Sequence, residues 1–205
     1  MIKLYRHALS GHSHRVELFL TLLGLEFDLV DVDLMAGEHK QPAFLALNPF
    51  GQVPVLVDGA TVISDANAIL VYLAERYDSE ARWYPNDMVE RAEIQRWFSV
   101  AAGPVANGPG AARLVTVFGA GLDHEHAKTV ANNLLHTLDG VLQERSFLVG
   151  PRPTLADIAG YSYIAHAPEG EVSLAPYPNV RAWLSRIESL NGFVGMTRTP
   201  VGLAA

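Results

Sequence analysis

The apolar positions of this chain change period along its length, from strand-like and helix-like runs in alternation before about residue 80 to helical spacing almost alone after it. Ile2 to Tyr5 predicts a short strand. Ser13 to Leu23 predicts a helix, because Val16, Phe19, Leu20 and Leu23 fall at i, i+3, i+4 and i+7 and Gly24 closes the run. Phe27 to Val32 alternates as a second strand, and Ala43 to Leu47 forms a turn or short helix. Val53-Pro54-Val55-Leu56-Val57 has the pattern of a buried strand, Asp58-Gly59 is a two-residue hairpin signal, and Ala60 to Ile63 returns. Ser64-Asp65-Ala66-Asn67 then opens a helix carrying Ile69, Leu70, Tyr72 and Leu73. That order, β-α-β followed by β-β-α, builds a small mixed sheet with helices on its faces.

Between Tyr77 and Asn86 no period is sustained, and three helical stripes follow. They run through Met88, Arg91, Ile94, Trp97 and Phe98; through Val130, Leu134, Leu135, Leu138 and Leu142; and through Val180, Trp183, Leu184 and Ile187. The expectation is a first domain over residues 1–78 and an all-helical one over 87–205. Gly103-Pro104 and Gly108-Pro109-Gly110 are expected to break the helices there, because proline lacks the N–H and clashes with the preceding turn. Thr154-Leu155-Ala156-Asp157 is a capping box with Asp in the Glu place, and is assigned to folding rather than chemistry.

Composition narrows the classes. With 205 residues, 49% of them hydrophobic and only 18% charged, the chain has the material for a proper core. Its net charge of −7 and its lack of any Lys/Arg cluster argue against nucleic acid as a partner. Its apolar runs fall short of the ~18 residues of a membrane span, and Met1-Ile2-Lys3-Leu4-Tyr5 is strand-like rather than a signal core. A soluble, cytoplasmic protein is expected. There is no cysteine, so thiol chemistry here would use a sulfur brought by the ligand. His12-Ser13-His14 and His124-Glu125-His126 lack a third ligand at metal-site spacing, and no metal is expected. Trp97, Phe98 and Trp183 have helical apolar neighbours and are expected in the core.

The richest segment is Asn48-Pro49-Phe50-Gly51-Gln52-Val53-Pro54-Val55-Leu56, where a second proline stands at the mouth of a strand, followed by a hairpin leading straight into a helix N-terminus. Helix N-termini suit carboxylates, and Asp65 beside this one is placed to hold an ammonium group. Together they suit the two charges of an α-amino acid. Read as structure alone, the same residues are an N-cap.

These motifs, in this order and spacing, resemble the cytosolic glutathione transferase family over nearly the whole chain, with features similar to its theta and zeta classes. The likeness rests on Leu4-Tyr5, Ser10-Gly11, Gly37-Glu38-His39-Lys40, the Val53-Pro54 pair, Ser64 through Leu73, Thr154 through Asp157, and Tyr177 through Leu184. It implies a thioredoxin-like N-terminal domain (β-α-β-β-β-α) binding reduced glutathione as co-substrate and an all-α C-terminal domain contributing the electrophile pocket. It further implies transfer of the glutathione sulfur to a small apolar electrophile, and a homodimer. By the same resemblance Pro54 is the family's cis-proline, turning the Val53 backbone toward the cysteinyl part. Asp65 and the Ala66 N–H meet the γ-glutamyl end, Ala66 standing where a serine is common; His39 and Lys40 meet the glycyl carboxylate, with Gln52 nearby. Ser10 is the leading group to hold the thiolate, with Ser13, His12, Tyr5 or backbone donors as alternatives. Ala102, Val105, Asn107 and Arg113 are candidates for the electrophile pocket. A glutathione-dependent isomerase or disulfide/peroxide reductase, and a non-catalytic glutathione-binding protein, are the other functions compatible with these motifs.

Overall fold

The computed structural model describes residues 1–205 and divides into two compact units, one of residues 1–82 with 191–197, the other of residues 83–190 with 198–205.

The first unit is a four-stranded sheet in the order β2-β1-β3-β4, formed by β1 (Ile2–Arg6), β2 (Phe27–Asp31), β3 (Val55–Asp58) and β4 (Thr61–Ser64). β1 runs parallel to β2 and antiparallel to β3, and β3 antiparallel to β4. Along β1 the alternation is direct: Ile2 and Leu4 are buried and Lys3 is exposed. Helices α1 (Gly11–Leu22) and α3 (Ala66–Tyr77) pack against each other, and α1 also packs on β1. A 3-10 turn at Glu38–Lys40 and the short helix α2 (Pro42–Leu45) precede β3.

Three details depart from the sequence reading. The hairpin turn is centred on Gly59-Ala60, with Asp58 paired to Thr61. Gly59 takes a φ of +60° as the first turn residue, a position glycine fills without steric cost, so the register sits one residue later than Asp58-Gly59 implies. Asp58 is freed to receive the hydroxyls of Tyr72 (2.8 Å) and Tyr77 (2.5 Å) on α3. Secondly, β3 begins at Val55 rather than Val53, because Pro54 has no N–H for the ladder. Thirdly, α1 is buried well beyond one stripe: Ser13, His14 and Arg15 are as enclosed as Val16, Leu18, Phe19 and Leu20. The returning segment Asn191–Thr197 explains part of this, since His14 Nε2 bonds the Val194 carbonyl at 2.9 Å.

The second unit contains α4 (Met88–Val100), α5 (Ala111–Phe118), α6 (His124–Leu142), α7 (Leu155–Ala165) and α8 (Pro178–Glu188). At Gly103-Pro104 and Gly108-Pro109-Gly110 the α register is interrupted, but no loop intervenes. Residues Ala101–Gly110 continue the helix in a wider π-helical register between α4 and α5, with Pro104 and Pro109 inside it. Gly108 permits close packing on α6, for a Cβ there would lie 2.8 Å from the Ala131 nitrogen. Trp97, Phe98 and Trp183 are buried, while Met88 at the start of its stripe is exposed.

The capping box of α7 is complete. Asp157 is fully buried and also serves as a hub: Oδ2 accepts from Thr154 N (2.9 Å), and Oδ1 from Leu148 N (2.9 Å) and Trp183 Nε1 (2.8 Å). No helix is long and apolar enough to cross a membrane.

Candidate functional site

The first unit collects several groups suited to an anionic, peptide-like ligand. At the N-terminus of α3, Asp65 caps the helix by accepting from Ala68 N at 2.9 Å while its own backbone sits at φ +77°. A non-glycine residue there is strained, a condition that concentrates at ligand sites. The N–H of Ala66, first in the helix, has no partner within the helix and adds to the positive end of its dipole. The Val53–Pro54 peptide is cis, and Val53, standing outside the sheet, leaves its backbone out of the ladder.

The loop before β3 is shaped by Asn48, a role the sequence reading did not assign. Its buried side chain donates to the Gln52 carbonyl (2.8 Å) and accepts from Phe50 N (3.1 Å). An Asn ahead of Pro-x-Gly is the signal that could have revealed this, since Asn side chains template such turns. The turn at Glu38–Lys40 meets the same loop, with Lys40 Nζ donating to the Gly51 carbonyl at 3.5 Å. His39 Nδ1 is buried and has no hydrogen-bond partner within the protein. The structure thus brings His39, Lys40 and the backbone before Gln52 together, with Gln52 itself exposed.

At the start of α1, Ser10 is the N-cap, its Oγ accepting from Ser13 N at 3.2 Å. A hydroxyl that accepts this way keeps its own proton to donate. Ser13 is fully buried, and its Oγ accepts from His7 N at 3.4 Å. Tyr5 packs edge-on against Phe44, with ring centroids 6.4 Å apart, in a cluster with Val32 and Val55. Burial, helped by the nearby Arg15 charge, pushes the His12 imidazole down to about 3, so it is neutral at pH 7. Arg15 itself, 1% exposed, donates from Nη1 to Asn67 Oδ1 at 2.8 Å and so links α1 to the second residue of α3. Nothing in the sequence pattern announces that pairing, which joins residues 52 positions apart.

The four candidate pocket residues differ in exposure. Ala102 and Asn107 are exposed on the π-helical segment, whereas Val105 and Arg113 are 2% and 1% exposed. Arg113 corrects its assignment most clearly. Its Nε donates to Glu169 Oε2 at 2.6 Å in a buried ion pair, and Glu169 also receives His166 Nδ1 at 2.6 Å and Thr199 Oγ1 at 2.7 Å. Burial would raise the Glu169 carboxyl, but the Thr199, His166 and Arg113 donors outweigh it and hold the group below its usual range. A side chain so committed is core. No three His, Cys, Asp or Glu side chains converge as a metal site.

A four-stranded thioredoxin-like unit followed by a helical one defines the class of protein, and comparison with known proteins defines the family. Residues 1–75 match the model of the glutathione S-transferase N-terminal domain, and residues 123–191 that of its C-terminal domain. Glutathione S-transferase 3 of Zea mays is 34% identical, the alignment covering 94% of this chain and 91% of that one. A possible glutathione S-transferase from Rhodopseudomonas palustris superposes with a TM-score of 0.87 at 32% identity, over 97% and 99% of the two chains. A glutathione transferase homolog from Drosophila mojavensis, solved with bound glutathione, gives 0.84 at 29% identity over 92% and 88%. The chain belongs to the glutathione S-transferase family, and is an enzyme of the transferase class.

Proposed function

We propose that this protein binds reduced glutathione on the first unit, lowers the pKa of its thiol with the Ser10 hydroxyl, and transfers the resulting thiolate to a small apolar electrophile. The observation that carries this reading is the pair of helix N-termini on one unit: one capped by a strained, exposed Asp65, the other by a Ser10 whose hydroxyl proton is not used by the cap. In this assignment Asp65 holds the γ-glutamyl ammonium and the Ala66 N–H its carboxylate. The Val53 backbone pairs with the cysteinyl segment beside Pro54. His39 and Lys40, with Gln52 nearby, meet the glycyl carboxylate.

The energetic requirement is modest. A free thiol has a pKa of about 8.5, and lowering it by about two units takes roughly 2.7 kcal/mol of preferential thiolate stabilisation. One hydroxyl donor at the positive end of α1 is of that order. The thiolate sulfur then attacks the electrophilic carbon, and with an activated aryl chloride the leaving group departs as chloride. The protein contributes orientation and a preorganised field. Ser10 is favoured over the other groups because Ser13 is fully enclosed, Tyr5 packs on Phe44, and His12 is buried enough to stay neutral. A cytoplasmic homodimer belongs to the same reading.

Conjugation of glutathione to a chlorinated aromatic tests the proposal. Ser10→Ala is expected to lower kcat about 10- to 100-fold, and to cost about 0.5–2 kcal/mol of stability through the lost cap. Unchanged turnover in a folded Ser10→Ala variant would remove Ser10 from the chemistry.

A further inference from the structure

Three backbone N–H groups close a ring of hydrogen bonds at the start of α1. Ser10 N donates to the His7 carbonyl at 2.9 Å across the Ala8-Leu9 turn. His7 N donates to Ser13 Oγ at 3.4 Å, and Ser13 N donates to Ser10 Oγ at 3.2 Å, which returns the ring to its first residue. Ser13 stands third in the helix, the place from which a capping-box side chain reaches back to the N–H of the N-cap. Here that N–H is given to His7, and the Ser13 hydroxyl receives instead the N–H of the residue directly following β1. The Arg6 carbonyl just before it accepts from Val32 N at 2.7 Å, so this end of the ring is tied to the sheet. Ser13 therefore holds Ser10 from two sides. Its N–H orients the Ser10 hydroxyl, and its own hydroxyl anchors the turn that carries that residue. With 0% of its surface exposed, Ser13 acts on a ligand only through this ring.

We propose that Ser13 is a positioning residue for the transfer reaction: its hydroxyl fixes the turn of residues 7–10, so that the Ser10 O–H is aimed at the thiolate. The inference rests on the assignment of Ser10 to the thiolate and adds to it a demand on residue 13, that its side chain accept a hydrogen bond. Hydrogen bonds weaken steeply with angle, and a small misplacement of a group that acts on the reacting atom is felt in rate. Without the Ser13 hydroxyl the cap bond from Ser13 N persists, and the Ser10 hydroxyl is present but loosely aimed.

A double-mutant cycle separates this role from a merely structural one. The readouts are the pKa of the bound thiol, from ultraviolet thiolate absorbance as a function of pH, with kcat and KM for glutathione in conjugation and the melting temperature as the check on folding. Ser13→Ala is expected to raise the thiol pKa by about 0.5–1 unit, so that the thiolate fraction below that pKa falls about three- to tenfold. KM for glutathione is expected to stay within about twofold, which separates lost positioning from lost binding. Ser13→Thr keeps the acceptor and is expected to keep the wild-type thiol pKa. In a Ser10→Ala background, removal of the Ser13 hydroxyl is expected to shift the thiol pKa no further, because the group it positions is gone. A serine that only stabilises the fold makes the opposite demand, an equal penalty in both backgrounds. That additivity, a wild-type thiol pKa in folded Ser13→Ala, or a folded Ser13→Thr as impaired as Ser13→Ala overturns the inference and leaves the Ser10 assignment standing. Should Ser13→Ala not fold, Ser13→Thr and Ser13→Val, equal in shape, make the same contrast of a hydroxyl kept and lost. A wild-type thiol pKa in Ser10→Ala overturns the Ser10 assignment and this inference together, and a wild-type protein that develops no thiolate absorbance with glutathione overturns the glutathione reading with them.

Discussion

Two carboxylates show how differently this chain uses the same chemistry. Asp157, in the helical unit, is fully buried and takes hydrogen bonds from Leu148, Thr154 and Trp183 on both of its oxygens. Asp65, in the sheet unit, is exposed, makes one cap bond through Oδ1, and holds a backbone conformation that disfavours side chains. Each caps a helix in some sense, and both were visible as caps in the sequence. The difference lies in what remains after the cap is made. Asp157 is saturated by the protein and ties three segments together, whereas Asp65 retains an oxygen beyond its cap bond and stands on strained backbone, which a fold tolerates when a ligand contact repays it. Saturation under burial marks structure, and strain with remaining capacity is what the proposed site asks of Asp65.

The largest expected effect comes from breaking the saturated member. Asp157→Ala strands the donors of three residues in the interior, and a loss of about 3–5 kcal/mol in denaturant unfolding is expected. A loss below about 1 kcal/mol would show that the hub is not structural. The exposed member should behave in reverse. Asp65→Gly relieves the φ of +77°, and glycine costs only a few tenths of a kcal/mol at an N-cap. Stability is therefore expected to hold or to rise by up to about 1 kcal/mol, while glutathione affinity falls tenfold or more. A variant that loses stability and keeps affinity would invert the comparison.

The smallest effect concerns protons. Burial sets the His12 imidazole at about 3, well below its ordinary 6.5, so between those values the unfolded chain binds the proton more readily. Its contribution to stability is complete above pH 6.5 and is lost as pH falls toward 3. Partial exposure of the ring limits the loss between pH 7 and 5 to about 1 kcal/mol. Asp157 acts with the opposite sign, since burial raises its carboxyl to about 6 against the pull of the hydrogen bonds from Leu148, Thr154 and Trp183, and protonation between 6 and 3.8 favours the folded chain. His12→Gln is expected to flatten the acid limb of the stability profile, measured as melting temperature against pH. An unchanged limb would assign acid sensitivity elsewhere, with His166, lowered by burial against the opposing pull of Glu169, the next group to examine.

What the sequence disclosed follows from how local each feature is. The four strands, the main helices and the Thr154–Asp157 box are written in spacing and caps within a few residues. The hairpin was legible but one residue out of register, because Gly59, with its φ of +60°, is the first turn residue rather than the second. The π-helical run was legible only as an interruption, since proline and glycine announce that an α register fails and not what replaces it. The Glu169 cluster, the return of residues 191–197 onto α1 and the Arg15–Asn67 bond were beyond reach, for each joins segments that only the folded chain brings together. For the proposed site, Asp65, Pro54 and Ser10 came from motif order.

The central claim is that the strained edge of the sheet unit is a glutathione site. Calorimetric titration of wild-type protein and Asp65→Gly with reduced glutathione tests it most directly. The account predicts micromolar to millimolar binding by the wild type, and at least tenfold weaker binding by a variant that melts no lower. No binding heat and no thermal shift in the wild type, or equal affinity in the two proteins, would contradict it.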